Sequence, residues 1–218
     1  MALERSTGLS ELAGSGFIDL DRAQQKLSTL AKQLGLSESS LLEPLGSTQD
    51  PDQCLELLDR LTRDNASKIK SISANKNAFV RLCKVLGASV GLFEFLTREP
   101  AELELFMQEP LLPTMDSSLA ATTKAASSVS AIRIAYRRQL LKIAIFDVNS
   151  QDPVGQIDAV AKALADLAAA AIEAGLFLAK TELSDNANLI HYPAQDVANT
   201  RIAVIGMGKC GARELNYI

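Results

Sequence analysis

The sequence has no tryptophan, three tyrosines, a single histidine and three cysteines. Each shortage narrows what the chain can be. Few aromatic faces leave little on which single-stranded bases could stack. Cys54, Cys83 and Cys210 lie far apart with no CxxC pair, and only His191 could join them around zinc. A disulfide framework or structural zinc is therefore not expected, and reduced thiols fit a cytoplasmic protein. No excess of basic residues is present either. The formal net charge of −4 argues against coating nucleic acid, which needs a basic face to release counterions, but not against a nucleotide held by a few backbone amides and one lysine. Long apolar runs are missing as well. The richest, Ala159 to Ala179, is interrupted by Lys162, Asp166 and Glu173, short of the ~20 uninterrupted residues of a membrane span. Met1 to Asp21 shows no apolar core behind a basic start, so no secretory signal is read there.

What is present is helical punctuation. Apolar residues at Leu20, Ala23, Leu27, Leu30, Ala31 and Leu34 recur at threes and fours between Asp19 and a stop at Gly35. Asp50-Pro51 opens a second helix with a cap and a first-turn proline, followed by Leu55, Leu58 and Leu61. Asn75 starts a third, with Phe79, Leu82, Cys83 and Leu86 as its stripe and Gly87 as its expected end. Ser89 begins a fourth through Leu92, Phe93, Phe95 and Leu96, closed by Pro100 because the residue before proline resists the α region. A further turn or two is expected over 101–107.

The Pro110–Pro113 break, with Asp116-Ser117-Ser118 after it, is the candidate boundary, giving a helical subdomain at 1–113 and a second part at 114–218. In the second part, Val129, Ile132, Tyr136, Leu140 and Ile143 predict a long helix over about 127–148. Asp152-Pro153 repeats the capping device and predicts another, with Ile157, Val160, Leu164, Leu167, Ala171 and Leu178 facing its core. Periodicity stops over 181–199, where Asp185, Asn186, Asn188, Pro193 and Asn199 read as loop. Arg133 and Arg137 share one helix face, Arg138 and Lys142 another, so no single basic stripe forms and solvated charge is the expected role. His191, in a loop without acidic neighbours at useful spacing, is read as structural or exposed.

The signal then changes. Arg201-Ile202-Ala203-Val204-Ile205 is a β-branched run of the kind that makes a buried strand. Gly206-Met207-Gly208-Lys209-Cys210-Gly211 follows, and Ala212 to Leu215 reads as a helical turn. A strand cannot satisfy its backbone alone, and no other segment reads as its partner, so the rest of a sheet is expected beyond Ile218. The pattern G-x-G-x-x-G after a strand fits a dinucleotide-binding fold. It also fits a nucleotidyltransferase of the polymerase-β type, where a glycine turn holds nucleotide phosphates ahead of two carboxylates. Glycine permits close approach to phosphate, and exposed N–H groups with a nearby lysine stabilise the anion. A tight strand-to-helix turn without any ligand is the third reading.

The longer string Ile202 to Ile218, IAVIGMGKCGARELNYI, closely resembles the signature of bacterial glutamine synthetase adenylyltransferases, in which Glu-Leu-Asn precedes Ser-Asp-x-Asp. Glu214-Leu215-Asn216 match that element. Leu82 to Leu103, with VLGAS at Val85–Ser89 and the Arg98 and Pro100 element, is similar to the family's N-terminal helical region. Arg137 to Ala144, leading to Asp147, resembles its basic helix before the catalytic core. Cys210 stands where the family commonly has Leu, and Glu99 where His is frequent.

The resemblance implies a mainly α fold: a helical N-terminal region leading into the first strand and glycine turn of a polymerase-β-like α/β domain. It implies the N-terminal half of a bifunctional enzyme, which removes AMP from a tyrosine of glutamine synthetase by phosphorolysis, while the other half adds AMP from ATP. Phosphate or nucleotide would be bound by Gly206, Gly208 and Lys209. Mg2+ would be held by carboxylates expected beyond Ile218, so no catalytic residue is assigned and these residues alone are expected to be inactive. Implied partners are glutamine synthetase, ATP, ADP and phosphate, with glutamine and a PII-type signal protein as regulators, and no nucleic acid or membrane. A nicotinamide-dinucleotide-binding fragment and a helical protein-interaction module stay open beside it.

Overall fold

The computed structural model describes residues 8–185 and 190–217. Among them every element is helical and none is a strand. The chain divides into two compact units, 1–110 and 111–218.

The first unit contains α1 (Leu9–Gly14), α2 (Leu20–Leu34), α3 (Glu38–Gly46), α4 (Pro51–Ser73), α5 (Lys76–Ala88), α6 (Val90–Arg98) and a 3-10 segment, Pro100–Met107. The capping residues do what their chemistry requires. Carboxylate or amide oxygens of Asp19, Asp50 and Asn75 accept from Arg22, Gln53 and Ala78 N–H, and the Ser37 and Ser89 hydroxyls accept from Ser40 and Leu92 N–H. Each satisfies a donor that the first helical turn leaves unpaired. Gly35 ends α2 in the left-handed region at φ 69°. Helix α4 lies at the centre, packed by α2 and α5. Cys54, Leu58, Leu82, Leu86, Leu96 and Phe106 are fully buried there, each large side chain worth about 1.5–3 kcal/mol of transfer free energy. Within α4, Asn65 departs from helical geometry at φ −131° and ψ 33°, and its amide donates to the Leu61 carbonyl at 3.3 Å. Arg81 of α5 is buried and donates to the Phe106 and Gln108 carbonyls at 3.3 and 2.8 Å, closing the end of the 3-10 segment.

The second unit is built on α7 (Met115–Lys124), α8 (Val129–Val148) and α9 (Ile157–Ser184), which pack on one another, with α10 (Ala194–Asn199) and α11 (Gly208–Ala212) laid on α9. Ala163, Ala170 and Ala174 are buried along α9, and their small side chains let the neighbouring backbones approach. Thr122 takes advantage of this closeness, donating across to the Ala170 carbonyl at 3.1 Å.

Several expectations are corrected. Asp152 does not cap α9: its carboxylate accepts from Gly155 N–H at 3.0 Å, closing a local turn, and the helix begins at Ile157. Asp and Ser side chains compete with helix for their own backbone, and here the turn wins. Ile157 is consequently exposed. Gly87 does not end α5, which runs on to Ala88. The 181–199 segment is only partly loop, because α9 continues to Ser184 and α10 occupies Ala194–Asn199; Asn186 and Asn188 lie outside the described residues. Asp116-Ser117-Ser118, which follow the Pro110–Pro113 break, lie in the first turn of α7.

The expected strand is the largest difference. Residues 201–207 have no regular structure, and Ile202, Val204 and Ile205 are 57%, 60% and 82% exposed. A β-branched run reports a preference for extended backbone, but a strand also needs a neighbouring edge to bond. None of the described residues supplies one.

Candidate functional site

The glycine turn leads from this extended segment into α11. Its three glycines are not equivalent. Gly208 has φ +59°, in the left-handed region that glycine enters without steric penalty. At Gly211 a Cβ would collide with the backbone carbonyl of Gly206, so the turn closes on itself only if position 211 has no side chain. Gly206 has room, since a Cβ there would meet Gly211 N at 3.5 Å and Cys210 Sγ at 3.7 Å, ordinary contacts. Met207 caps α11 from extended backbone, and Lys209 is exposed on its first turn. Glu214 N–H donates to the Lys209 carbonyl at 2.8 Å, and Arg213 ends the helix in the left-handed region at φ 60°. The structure thus brings Gly206, Gly208 and Lys209 together on one exposed turn.

The residues after the turn return to the helices. Leu215 packs against the cluster formed by Ile143, Val160, Ala163, Leu164 and Leu167. The Arg213 guanidinium lies 3.8 Å from Asp166 Oδ1, while Lys162 donates to Asp166 Oδ2 at 2.7 Å. Asp166 is 5% exposed, and a buried carboxylate of this kind requires such cationic partners. Tyr217 donates its hydroxyl to Asp147 Oδ2 at 2.9 Å. Partial desolvation of the half-exposed Tyr217 ring and the adjacent Asp147 carboxylate push its phenol above the usual range, so it stays a donor. On the other side of the turn, Lys180 Nζ donates to the Thr200 carbonyl at 3.2 Å. Residue types and spacing drew attention to the glycines. The Asp147–Tyr217 and Asp166–Arg213 pairings carried no local signal, because they span long stretches of sequence.

Arg133, Arg137 and Arg138 are exposed on α8 and Lys142 is half-buried; His191 is exposed ahead of α10. Among the described residues, no three His, Cys, Asp or Glu side chains come together in a way that could hold a metal. No described helix is long and apolar enough to cross a membrane.

These features sit in a chain whose relationships are clear. A sequence model of the glutamate-ammonia ligase adenylyltransferase family matches residues 79–218, and the chain belongs to that family. It is similar to proteins named bifunctional glutamine synthetase adenylyltransferase/adenylyl-removing enzyme. The one from Leifsonia xyli is 37% identical over 223 residues, covering 96% of this chain and 22% of the relative. The one from Streptomyces avermitilis is 38% identical, covering 98% and 21%. The one from Cutibacterium acnes is 30% identical, covering 98% and 23%. The chain therefore spans about a fifth of the length of these curated relatives. No solved structure matches it.

Proposed function

We propose that the chain forms the helical front part and phosphate turn of the adenylyl-removing half of a bifunctional enzyme acting on glutamine synthetase. In this reading inorganic phosphate attacks the phosphorus of an AMP group carried on a tyrosine of glutamine synthetase. The bond to the tyrosine oxygen breaks and ADP leaves. The other half of such an enzyme adds AMP from ATP, and the pair controls nitrogen assimilation in the bacterial cytoplasm.

The observation that carries the reading is the family match over residues 79–218, which runs through the turn at Gly206–Gly211. The geometry of the turn supports a role in holding phosphate. Gly208 leaves its backbone open on the solvent side, with nothing within 4 Å of where a Cβ would stand. Exposed N–H groups of such a turn, with the Lys209 charge beside them, suit an anion. Gly206, Gly208 and Lys209 are the residues to which this role is given.

Mg2+, which in such transfers neutralises charge developing on the phosphoryl oxygens, does not fit the described residues, because they bring no three metal-ligating side chains together. Its carboxylate ligands belong, in this reading, to the portion of the relatives that this chain does not span. Glutamine synthetase is the macromolecular substrate, and a PII-type signal protein the regulatory partner.

The test is phosphate-dependent release of ADP from adenylylated glutamine synthetase by the full-length protein. Release that requires Mg2+ and fails with Gly208→Val supports the reading. A full-length protein that binds NAD and leaves adenylylated glutamine synthetase untouched overturns it.

A further inference from the structure

We propose that Asp147 and Asp166 are positioning residues for the glycine turn, fixing where it stands through Tyr217 and Arg213. The phosphate role of the turn rests on the function proposed above; the clasp itself rests on geometry alone.

Over residues 201–217 only Cys210 and Leu215 are more than superficially covered. Burial of the turn therefore cannot hold it, and its internal closure, Gly211 against Gly206 and Glu214 N–H to Lys209 C=O, fixes its shape but not its place. Placement is shared by the packing of α11 on α9, the Lys180–Thr200 bond before the turn and the five residues that follow α11. Arg213 reaches Asp166 on α9, Tyr217 reaches Asp147 on α8, and Leu215 enters the cluster between those two helices. The clasp thus has one charged, one neutral and one apolar contact.

Both carboxylates stand on long helices whose inner faces are buried. Asp166 divides its oxygens, Oδ2 to Lys162 and Oδ1 toward Arg213. Arg213 adopts φ 60° and ψ 40°, a region where a bulky residue is unusual. Its backbone is fixed there by the Glu214–Lys209 bond, and this conformation directs the following residues back onto α8 and α9. The Tyr217 hydroxyl stays protonated beside Asp147, so the contact persists through neutral pH.

The clasp is tested first on this chain by hydrogen exchange. Tyr217→Phe and Asp147→Ala should each speed exchange of amides 208–217 by about three- to tenfold, the loss of one net hydrogen bond, with amides of 157–184 unchanged. The double variant should be no faster than either single. Asp147→Asn, whose amide oxygen still accepts the phenol, should restore slow exchange. Arg213→Asn, which tolerates the left-handed backbone but loses the cation, should loosen the same amides. Unchanged exchange in Tyr217→Phe, or additive effects in the double variant, would overturn the clasp.

The positioning role is tested in the full-length protein with adenylylated glutamine synthetase and inorganic phosphate. Asp147→Ala should raise KM for phosphate severalfold with little change in KM for the protein substrate, and Asp147→Asn should reverse the effect. Loosened amides with an unmoved phosphate KM would leave a structural clasp and overturn the positioning role. A wild-type protein that releases no ADP would remove the phosphate reading, and the positioning role with it, while exchange still decides the clasp.

Discussion

Gly87 of α5 lies so close to Thr48 that a Cβ on the glycine would stand 2.7 Å from the Thr48 Cβ and 3.3 Å from the Asp50 carbonyl. Glycine in a helix usually costs about 0.5–1 kcal/mol relative to alanine, so an alanine here should stabilise if packing allowed it. Packing does not: the obstructing atom is a Cβ, fixed to the backbone, and overpacking of a tight contact costs about 1–3 kcal/mol. Gly87→Ala should therefore lower the urea midpoint of unfolding. Combining it with Thr48→Gly should recover much of the loss, and an unchanged midpoint in the single variant would show that the chain can shift at this contact.

The alkaline limb of stability should report Cys54. Its thiol is fully buried, and burial followed by the hydrogen bond to Cys83 pushes it well above the usual 9.0. A group whose folded value is raised stabilises fully below its unfolded value and loses that contribution as pH climbs past it. Stability should accordingly fall as pH rises above about 9, less so in Cys54→Ala. Thiol reagents at neutral pH should label Cys210 while Cys54 and Cys83, both 0% exposed, stay unmodified in the folded chain.

The acid limb has a contributor of opposite sign. Glu56 receives Lys26 Nζ at 2.7 Å and Arg22 Nη2 at 2.6 Å, and these cations, Lys26 foremost, hold its carboxyl below the usual 4.5. With a depressed folded value, the contribution is present above 4.5 and disappears as pH falls below it. Urea midpoints measured between pH 6 and pH 3 should drop less steeply in Glu56→Gln than in the wild-type chain. Parallel curves would mean that the ion pair is fully screened.

The glycine turn separates two kinds of requirement. Gly208→Asn, able to occupy the left-handed region, should leave exchange of amides 208–217 nearly unchanged, whereas Gly208→Val should loosen them. Gly211→Ala should loosen them further, through collision with the Gly206 carbonyl. Gly206→Ala, with ordinary contacts on all sides, should be the mildest of the set. Lys209→Ala in the full-length protein should weaken phosphate dependence with a smaller effect on maximal ADP release.

Local chemistry made much of the first unit readable. Asp19, Asp50, Asn75 and Ser89 each precede an apolar stripe and accept the N–H that capping requires. Helix α3 had the same evidence, a Ser37 cap with Leu41 and Leu45 one turn apart, but Pro44 and Gly46 masked it. Asp152-Pro153 carried the same letters as Asp50-Pro51, and its carboxylate likewise accepts from the N–H three residues on, yet that bond closes a turn and the helix begins only at Ile157. The run at 202–205 shows a different boundary. Its preference for extension is local, whereas pairing depends on another segment. The Asp147–Tyr217 bond joins residues 70 positions apart, and neither member stands in a pattern that marks its partner.

The departure at Asn65 divides α4 as a cooperative unit. Helix formation propagates because each added residue gains a bond to a turn already in place, and at this position that succession is interrupted. Residues 51–64 carry most of the buried contacts of the element, whereas 66–73 are anchored by Ile69 and Ile72. Melting that begins at Ser73 can run back only as far as the joint, where it must start afresh against the better-packed half. The element should therefore unravel in two stages, with fraying at its far end leaving the centre of the first unit intact.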